Sequence, residues 1–333
     1  MMNKGTVLVT GANGFLGQAI VTSLLNSDIP VRTTDIVDSC NRSDERYVKA
    51  DITRRNELEP VLKNVTTVIH TAGLAHIFSP GSVPVERYKL INEVGTANVL
   101  SLAVTSGTEH VILISSVSVY GSYTRGMYDE KTPCCPVGPY ARSKYNAELR
   151  AIEIAHKSNT ALTVLRLATL YGEEDPGNIS RLMRMIDSGK FIWIGNGSNR
   201  KSLLYKGDAA RACVVIATNP FPRTKVRVFN VSASPCRMHE IVEGLSHALG
   251  RKPLPGRIPA TMARQMSRWV SKFPSTKLRN LNNTVEKWLD EDLYDTSSIE
   301  REYEFYAEVD LMEGLKREVQ WYRNNQKNAR SLK

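Results

Sequence analysis

A tyrosine and a lysine stand one helical turn apart, at Tyr140 and Lys144 in the run Tyr-Ala-Arg-Ser-Lys. Residues at this spacing share one face of a helix. A phenol with an ordinary pKa of about 10 is a poor base at neutral pH, but a neighbouring ammonium favours the phenolate and lowers that pKa. The pair could therefore transfer a proton at a hydroxyl or carbonyl group, although an isolated pair of this kind is also common on helix surfaces.

A group of serines, Ser115-Ser-Val-Ser-Val-Tyr-Gly121, follows a predicted strand. Ligands bind beyond the carboxyl ends of the strands in open parallel sheets, so a hydroxyl here can bridge a substrate oxygen and Tyr140. We assign this role to Ser116. Ser115 and Ser118 are the alternatives to Ser116, and each could equally be a strand-end hydroxyl that bonds the local backbone.

A glycine-rich turn, Thr10-Gly-Ala-Asn-Gly-Phe-Leu-Gly17, lies between an apolar strand and a helical pattern. Glycines permit a tight turn, let the backbone approach a pyrophosphate and allow close helix packing, and the helix N-terminus favours anions. The strand and helix on either side are the context that this motif requires. The residues predicted to bind a dinucleotide here are Gly11, Asn13, Gly14, Phe15, Leu16 and Gly17.

An acidic residue, Asp35, ends the next predicted strand. Its carboxylate could accept hydrogen bonds from the adenosine ribose hydroxyls and would repel a 2′-phosphate, which favours NAD. Arg32 and Arg42 are near in sequence and leave NADP open.

The segments around these motifs alternate between two patterns. Apolar, β-branched runs predict strands at residues 6–10, 31–35, 67–70, 110–115 and 162–167, and helical spacing predicts helices at 15–25, 88–106 and 140–157. Such alternation is typical of an α/β fold with a doubly wound parallel sheet and right-handed crossovers, the Rossmann arrangement.

After residue 172 the pattern changes to turns rich in Gly, Pro and Asn, with shorter elements between them. We expect a dinucleotide-binding Rossmann domain at 1–172, with returns near 200–231, and a smaller substrate-binding domain at 173–333. Ligand would lie in the cleft between them.

Composition narrows the class of protein. The 333 residues are 41% hydrophobic and 23% charged, with a net charge of +10. The positive charge is scattered without an aromatic-interleaved basic stripe, so no nucleic-acid partner is expected. An odd number of cysteines, five, without metal-ligand spacing suggests a reducing compartment and no metal site. We expect a cytoplasmic protein without an integral membrane segment.

Together these motifs resemble the extended short-chain dehydrogenase/reductase family, in its NDP-sugar epimerase, dehydratase and reductase branch. The resemblance implies NAD as cofactor, a nucleoside-diphosphate sugar as substrate and a homodimer. It assigns adenine contacts to Asp51 and Ile52 and a cofactor contact to Ala72 in His70-Thr-Ala-Gly73. Ile91-Asn-Glu-Val-Gly-Thr96 is similar to the helix that follows.

Substrate residues also follow from the resemblance. Besides Ser116, they are Thr169 in Arg166-Leu-Ala-Thr-Leu-Tyr-Gly172, Asn178, and Lys201. Thr169 and Lys201 depart from the Asn and Arg usual in the family, and Arg200 stands beside Lys201. Val117 and Ser118 occupy the positions where a 4,6-dehydratase carries an Asp-Glu pair for elimination, so dehydratase chemistry is disfavoured.

Three functions remain, of which an NDP-sugar 4-epimerase is preferred. The first alternative is an NDP-4-keto-sugar reductase of polysaccharide biosynthesis, which residues 72–78 and 199–202 resemble. In both enzymes Tyr140 would move the proton, Ser116 would orient the oxygen, and Lys144 would hold the nicotinamide ribose and lower the tyrosine pKa. A non-catalytic dinucleotide-binding regulator is the third possibility, because fold does not dictate function.

One segment, residues 258–273, combines an apolar helical face with arginines and a lysine around it. Its apolar residues are Met262, Met266, Trp269, Val270 and Phe273. Such a helix could lie on a membrane surface. We instead expect its apolar face to pack in the core of the smaller domain.

Overall fold

The computed structural model describes residues 5–38, 45–75, 83–121, 126–219, 226–270 and 285–331. The predictions for Arg42, for residues 76–78 and for Phe273 lie outside these ranges.

The strands are short outside the central sheet. They are β1 Thr6–Thr10, β2 Val31–Asp35, β3 Tyr47–Lys49, β4 Val65–His70, β5 His110–Ser116, β6 Met127–Tyr128, β7 Ala161–Leu167, β8 Thr169–Tyr171, β9 Trp193–Ile194, β10 Arg200–Lys201, β11 Leu203–Tyr205, β12 Val226–Val231, β13 Cys236–Arg237, β14 Arg257–Ile258 and β15 Leu293–Tyr294.

The α-helices are α1 Phe15–Asn26, α2 Arg55–Leu58, α3 Val85–Tyr88, α4 Thr96–Thr105, α5 Pro139–His156, α6 Asn178–Asp187, α7 Lys206–Thr218, α8 Met238–Leu249, α9 Ala260–Val270, α10 Ser297–Tyr303 and α11 Leu311–Ser331. Short 3-10 helices span Glu59–Leu62 and Val117–Tyr120. A π-helical segment, Lys89–Gly95, joins α3 to α4.

The central sheet has seven strands in the order β12-β7-β5-β4-β1-β2-β3. Every neighbouring pair in it is parallel. The strand order reverses between β1 and β4, which is where open α/β sheets bind their ligands. The predicted α/β fold with a doubly wound parallel sheet is confirmed.

Both faces of this sheet are covered, because successive residues of each strand point to opposite sides. In β1, Val7 and Val9 join a buried cluster with α1 and α7, whereas Leu8 joins a second buried cluster with α4 and α5. This two-sided burial explains the continuous apolar runs that predicted the strands.

A third buried cluster lies among the later elements. It joins residues of α6, α8 and α11, such as Met183, Leu245 and Leu315, with Trp193 of β9. Strand β12, by contrast, pairs with β7 at the edge of the central sheet. The exact boundary between the two predicted domains remains a prediction.

The predicted packing of α9 is wrong. Met262, Met266 and Trp269 are exposed, and the buried residues of this helix are Ala263 and Ser267. The helical period was correct, but the face that contacts the rest of the protein is the one with small residues. No helix among the described residues is long and apolar enough to cross a membrane.

Candidate active site

The glycine-rich turn connects β1 to α1 at the point where the strand order reverses. Gly11 has a φ of +70°, and a Cβ there would lie 2.7 Å from the backbone nitrogen of Ala72. A Cβ on Gly17 would lie 2.1 Å from the carbonyl oxygen of Gly11. These two positions require glycine, because α1 and the segment after β4 both pack directly on the turn.

Asp35 is tied to this turn. Its Oδ2 accepts a hydrogen bond from the backbone nitrogen of Asn13 at 3.0 Å, and its Oδ1 accepts from those of Ile36 and Val37 at 2.7 and 3.3 Å. The carboxylate therefore lies beside the glycine turn at the end of β2, where the sequence predicted a ribose contact.

The turn has the features of a dinucleotide site. The side-chain amide nitrogen Nδ2 of Asn13 is buried and has no hydrogen-bond partner in the described structure. Gly14 is exposed at the N-cap of α1, and no side chain caps the helix there. A buried unsatisfied donor and a free helix N-terminus fit a pyrophosphate, because both favour an anionic acceptor.

The other predicted cofactor residues lie at the start of α1 and in the segment that follows β3. Leu16 is buried under the turn, and the Lys206 ammonium lies 5.4 Å from the centre of the Phe15 ring. The Asp51 carboxylate accepts hydrogen bonds from the backbone and hydroxyl of Thr53, each at 2.8 Å, and Ile52 is buried.

Ser116 and Tyr140 are brought together. Ser116 is the last residue of β5, and Tyr140 lies in the first turn of α5, which is packed against that strand. Burial and the neighbouring Tyr88 raise the pKa of Tyr140, whereas a hydrogen bond with the Ser116 side chain lowers it. The Tyr88 and Tyr140 rings meet edge to face with centroids 6.4 Å apart.

Lys144 points from α5 to the sheet, where its Nζ donates to the carbonyl oxygen of Ile114 at 2.5 Å. Burial lowers the pKa of this lysine to about 8, and the carboxylate of Glu148 opposes that change. Lys144 was predicted to lower the pKa of Tyr140. In this structure burial is the largest influence on that pKa and raises it, and Lys144 is not one of the groups that lower it.

The predicted substrate residues are more dispersed. Thr169 begins β8, and Asn178 is exposed at the start of α6. Lys201 is buried, and its Nζ donates to Asp292 at 2.7 Å and to the carbonyl oxygen of Lys287 at 2.6 Å. Arg200 is paired with Glu291 at 2.9 Å. The ammonium of Lys201 therefore already has two protein partners. The predicted contact between Lys201 and the substrate remains a prediction.

Asn92 is a buried polar residue that packs beside α5, and its sequence motif had given it no individual role. Its side-chain amide donates to Ser143 at 2.8 Å and to the carbonyl oxygen of Leu74 at 3.1 Å, and its Oδ1 accepts from the Leu74 backbone nitrogen at 2.7 Å. It lies in the π-helical segment, a distortion that is frequent at functional sites. The only signal in the sequence was its place in the segment from Ile91 to Thr96.

A buried polar network near Lys144 was also missed. The Glu148 carboxylate accepts from the Arg166 Nη2 at 2.7 Å and from the Ser115 hydroxyl. Arg166 also donates to the Tyr120 hydroxyl at 3.0 Å, and this hydroxyl donates to Asn230 at 2.7 Å. The network joins α5 to β5, β7 and β12, so it fixes the helix that carries Tyr140 and Lys144.

The chain is similar to known 4-epimerases over two thirds or more of its length. The chain is 27% identical over 321 residues to N-acetyl-alpha-D-glucosaminyl-diphospho-ditrans,octacis-undecaprenol 4-epimerase of Escherichia coli O157:H7, covering 95% of this chain and 94% of that protein. It is 30% identical over 233 residues to UDP-glucose 4-epimerase of Vibrio cholerae, covering 68% of this chain and 70% of that protein.

Solved structures agree. MoeE5 in complex with UDP-glucuronic acid and NAD is similar with a TM-score of 0.76 and 26% identity, covering 96% of this chain and 100% of that one. The UDP-glucose 4-epimerase of Thermotoga maritima, at a TM-score of 0.77 and 20% identity, covers 96% of this chain and 99% of that one and supports the fold.

The family profile described as "NAD dependent epimerase/dehydratase family" matches residues 7–232, which include the glycine turn, Ser116, Tyr140 and Lys144. This match confirms the predicted extended short-chain dehydrogenase/reductase resemblance and an NAD-dependent enzyme. The chain belongs to the NAD dependent epimerase/dehydratase family.

Proposed function

We propose that the protein is a 4-epimerase of a nucleoside-diphosphate sugar. The observation that carries this proposal is the placement of Ser116, the last residue of β5, beside Tyr140 in the first turn of α5, where the Ser116 side chain lowers the pKa of Tyr140. A tyrosine hydroxyl and a serine hydroxyl there can hold one substrate oxygen between them while its proton is moved.

Each residue of the site has a separate role in this proposal. Bound NAD would supply the acceptor and donor of a hydride. Tyr140 takes the proton from the sugar hydroxyl and returns it, and Ser116 donates a hydrogen bond to the same oxygen. Lys144 holds the nicotinamide ribose.

The glycine turn, Asp35, Asp51, Ile52 and Ala72 would bind the dinucleotide. Thr169 and Asn178 would contact the substrate, with Asn178 at the start of α6. A substrate cleft between a Rossmann domain and a smaller domain is part of the same proposal.

Dehydratase chemistry has less support, although dTDP-glucose 4,6-dehydratases are among the relatives. Elimination needs an additional acid and base near the sugar. Val117 and Ser118 follow the catalytic serine here, and the Val117 side chain is buried. Neither residue is an efficient acid or base at neutral pH.

A 4-keto-sugar reductase shares the same catalytic residues, so the fate of the cofactor separates the two reactions. An epimerase restores NAD in each turnover, whereas a reductase consumes reduced cofactor. The epimerase is preferred because both the UDP-glucose 4-epimerase and the undecaprenol-linked 4-epimerase are similar to this chain.

The undecaprenol-linked relative supports a second candidate, 4-epimerisation of a sugar carried on a polyprenyl diphosphate. That relative covers 95% of this chain, and its substrate name contains the same sugar-diphosphate linkage as a nucleotide sugar. The two candidate substrates differ in the group on the far side of the diphosphate, which is a nucleoside in the first and a polyprenyl chain in the second.

The test is to incubate the purified protein with UDP-glucose, UDP-N-acetylglucosamine and polyprenyl-diphosphate-linked N-acetylglucosamine, and to measure the 4-epimer by chromatography. We expect turnover of one of them without added reduced cofactor, and release of NAD when the protein is denatured. Turnover of a 4-keto sugar that consumes NADH or NADPH, with no epimer formed, would favour the reductase. A lack of both reactions would favour the non-catalytic regulator.

A further inference from the structure

Helix α9 carries an exposed apolar stripe. Met262, Met266 and Trp269 are 46%, 56% and 66% exposed, and they follow one another at the spacing that places side chains on one helix face. Removing large apolar side chains from water is favourable. A contiguous group of them that stays exposed therefore marks an interaction site.

The inner face of α9 explains why this stripe points outwards. Ala263 and Ser267 are the buried residues, and their small side chains let the helix lie close to the rest of the protein. On the flank, Arg264 forms ion pairs with Glu286 at 2.9 Å and with Asp290 at 3.8 Å. The inner face and this flank thus hold the helix in one orientation.

The segment that contains the stripe is basic, and some of its cations are paired with acidic residues from other parts of the chain. Residues 251–270 contain no Asp or Glu, and their basic residues are Arg251, Lys252, Arg257, Arg264 and Arg268. Arg257 and Lys252 are exposed, and 70% of the Arg268 side chain is exposed although Glu286 lies 3.7 Å away. The Arg251 side chain is 63% exposed and lies 3.8 Å from Asp187. Exposed cations therefore flank the apolar stripe on the chain that leads into it and on the helix itself.

We propose that α9 binds the surface of a bilayer that contains anionic phospholipids. The two methionines and the tryptophan enter the boundary between headgroups and acyl chains, and the flanking arginines and lysine contact the lipid phosphates. An apolar stripe flanked by basic residues is the pattern of interfacial helices, in which apolar burial and attraction to anionic lipids add. The net charge of +10 acts in the same direction.

A cavity of about 460 Å³ lies beside this surface. Arg257, Ala260 and Arg264, from the same segment, form part of its wall, together with Asn196 and Asn199. Binding through α9 would bring this cavity to the bilayer surface. The association does not depend on which sugar carrier the enzyme uses, so it can be tested without substrate.

The experiment is sedimentation of the purified full-length protein with vesicles. Vesicles of phosphatidylcholine containing phosphatidylglycerol are compared with vesicles of phosphatidylcholine alone. We expect binding to the anionic vesicles that weakens as salt is raised, and a fall of about tenfold or more in affinity for the triple variant Met262→Ser, Met266→Ser, Trp269→Ser.

The matched control replaces three similarly exposed apolar residues on other helices, in the variant Val85→Ser, Leu149→Ser, Met185→Ser. It is expected to bind like the wild type. Far-ultraviolet circular dichroism verifies that each variant is folded. A variant with Arg257→Gln and Lys252→Gln should lose part of the binding, and this loss should be smaller at high salt.

Several results would overturn the proposal. One is a wild-type protein that stays in the supernatant with anionic vesicles, and another is a folded triple variant that binds as well as the wild type. The same holds if the wild type does not bind vesicles and the triple variant changes its sedimentation velocity from that of a dimer to that of a monomer. The stripe would then be a contact between copies of the chain.

Discussion

Glu148 and Arg166 form a buried ion pair, with Oε2 and Nη2 2.7 Å apart and side chains that are 1% and 7% exposed. Glu148 lies one helical turn beyond Lys144 on α5, and Arg166 lies on β7. The pair therefore links the helix that carries the proposed catalytic tyrosine and lysine to the centre of the sheet.

Removing one partner of this pair should be costly. We expect Glu148→Ala to lower the free energy of unfolding by about 3–5 kcal/mol, because Arg166 would remain as a buried charge without its carboxylate. Urea denaturation followed by circular dichroism measures the change. Glu153→Ala on the same helix is the control, because Glu153 pairs with Lys157 at the surface and its loss should have little effect. Equal stability of the two variants would contradict the structural role of the pair.

The pKa of Lys144 predicts how NAD binding depends on pH. Burial lowers this pKa from 10.5 to about 8, so the folded protein loses the ammonium proton as the pH rises through about 8. NAD affinity should therefore fall above pH 8 and should be nearly independent of this group well below it. Calorimetric titrations on both sides of pH 8 measure the effect, and Lys144→Met should bind NAD weakly at every pH.

The lowered pKa of Lys144 also determines how the free energy of unfolding changes with pH. Between about pH 8 and 10.5 the unfolded chain retains the lysine proton that the folded protein has lost. The unfolded state then binds more protons, so the contribution of Lys144 to the free energy of unfolding increases with pH in this window. A contribution that decreases there would show that the ammonium is stabilised in the folded protein.

Asp35 should determine the preference for NAD over NADP. We expect Asp35→Asn to raise the affinity for NADP relative to NAD, because the substitution removes the negative charge that repels a 2′-phosphate. Its remaining amide oxygen can still accept from the backbone nitrogen of Asn13. Asp38→Asn is the control, because Asp38 is exposed and pairs with Lys49. An affinity ratio that is the same in both variants would remove Asp35 as the ribose contact.

The central sheet could be predicted because its strands are buried on both faces and therefore appear as continuous apolar runs, as in β5 and β7. The edge strand β3 was missed because its residues are mostly exposed. The π-helical segment was missed because a local change in backbone hydrogen bonding leaves the apolar period nearly unchanged. Helix α9 shows a further limit, since a periodic pattern identifies an apolar face without showing which face meets the core.

The site was predictable to the extent that its residues share short motifs. Tyr140 and Lys144 lie on one helix, and the glycine turn is contiguous. The contact between Glu148 and Arg166 joins two elements, so only the fold shows it. The ion pair between Lys201 and Asp292 likewise joins distant parts of the chain, so the sequence motif around Lys201 could not predict it.

Tyr140→Phe is the sharpest test of the proposed mechanism, because it deletes one hydroxyl and leaves a ring that can still pack against Tyr88. A positioned acid or base contributes about 10²–10⁴-fold to the rate, so kcat should fall by about this factor while the fold and NAD content are unchanged. Ser116→Ala should also lower kcat with little effect on NAD binding, since its hydroxyl contacts Tyr140. Tyr145→Phe, at a partly buried position on the same helix, is the matched control and should retain activity.

The measurement is kcat on the sugar nucleotide that the wild type turns over, with NAD released by denaturation as the readout of cofactor. If folded, NAD-containing Tyr140→Phe works within a few-fold of the wild type, another group must move the proton.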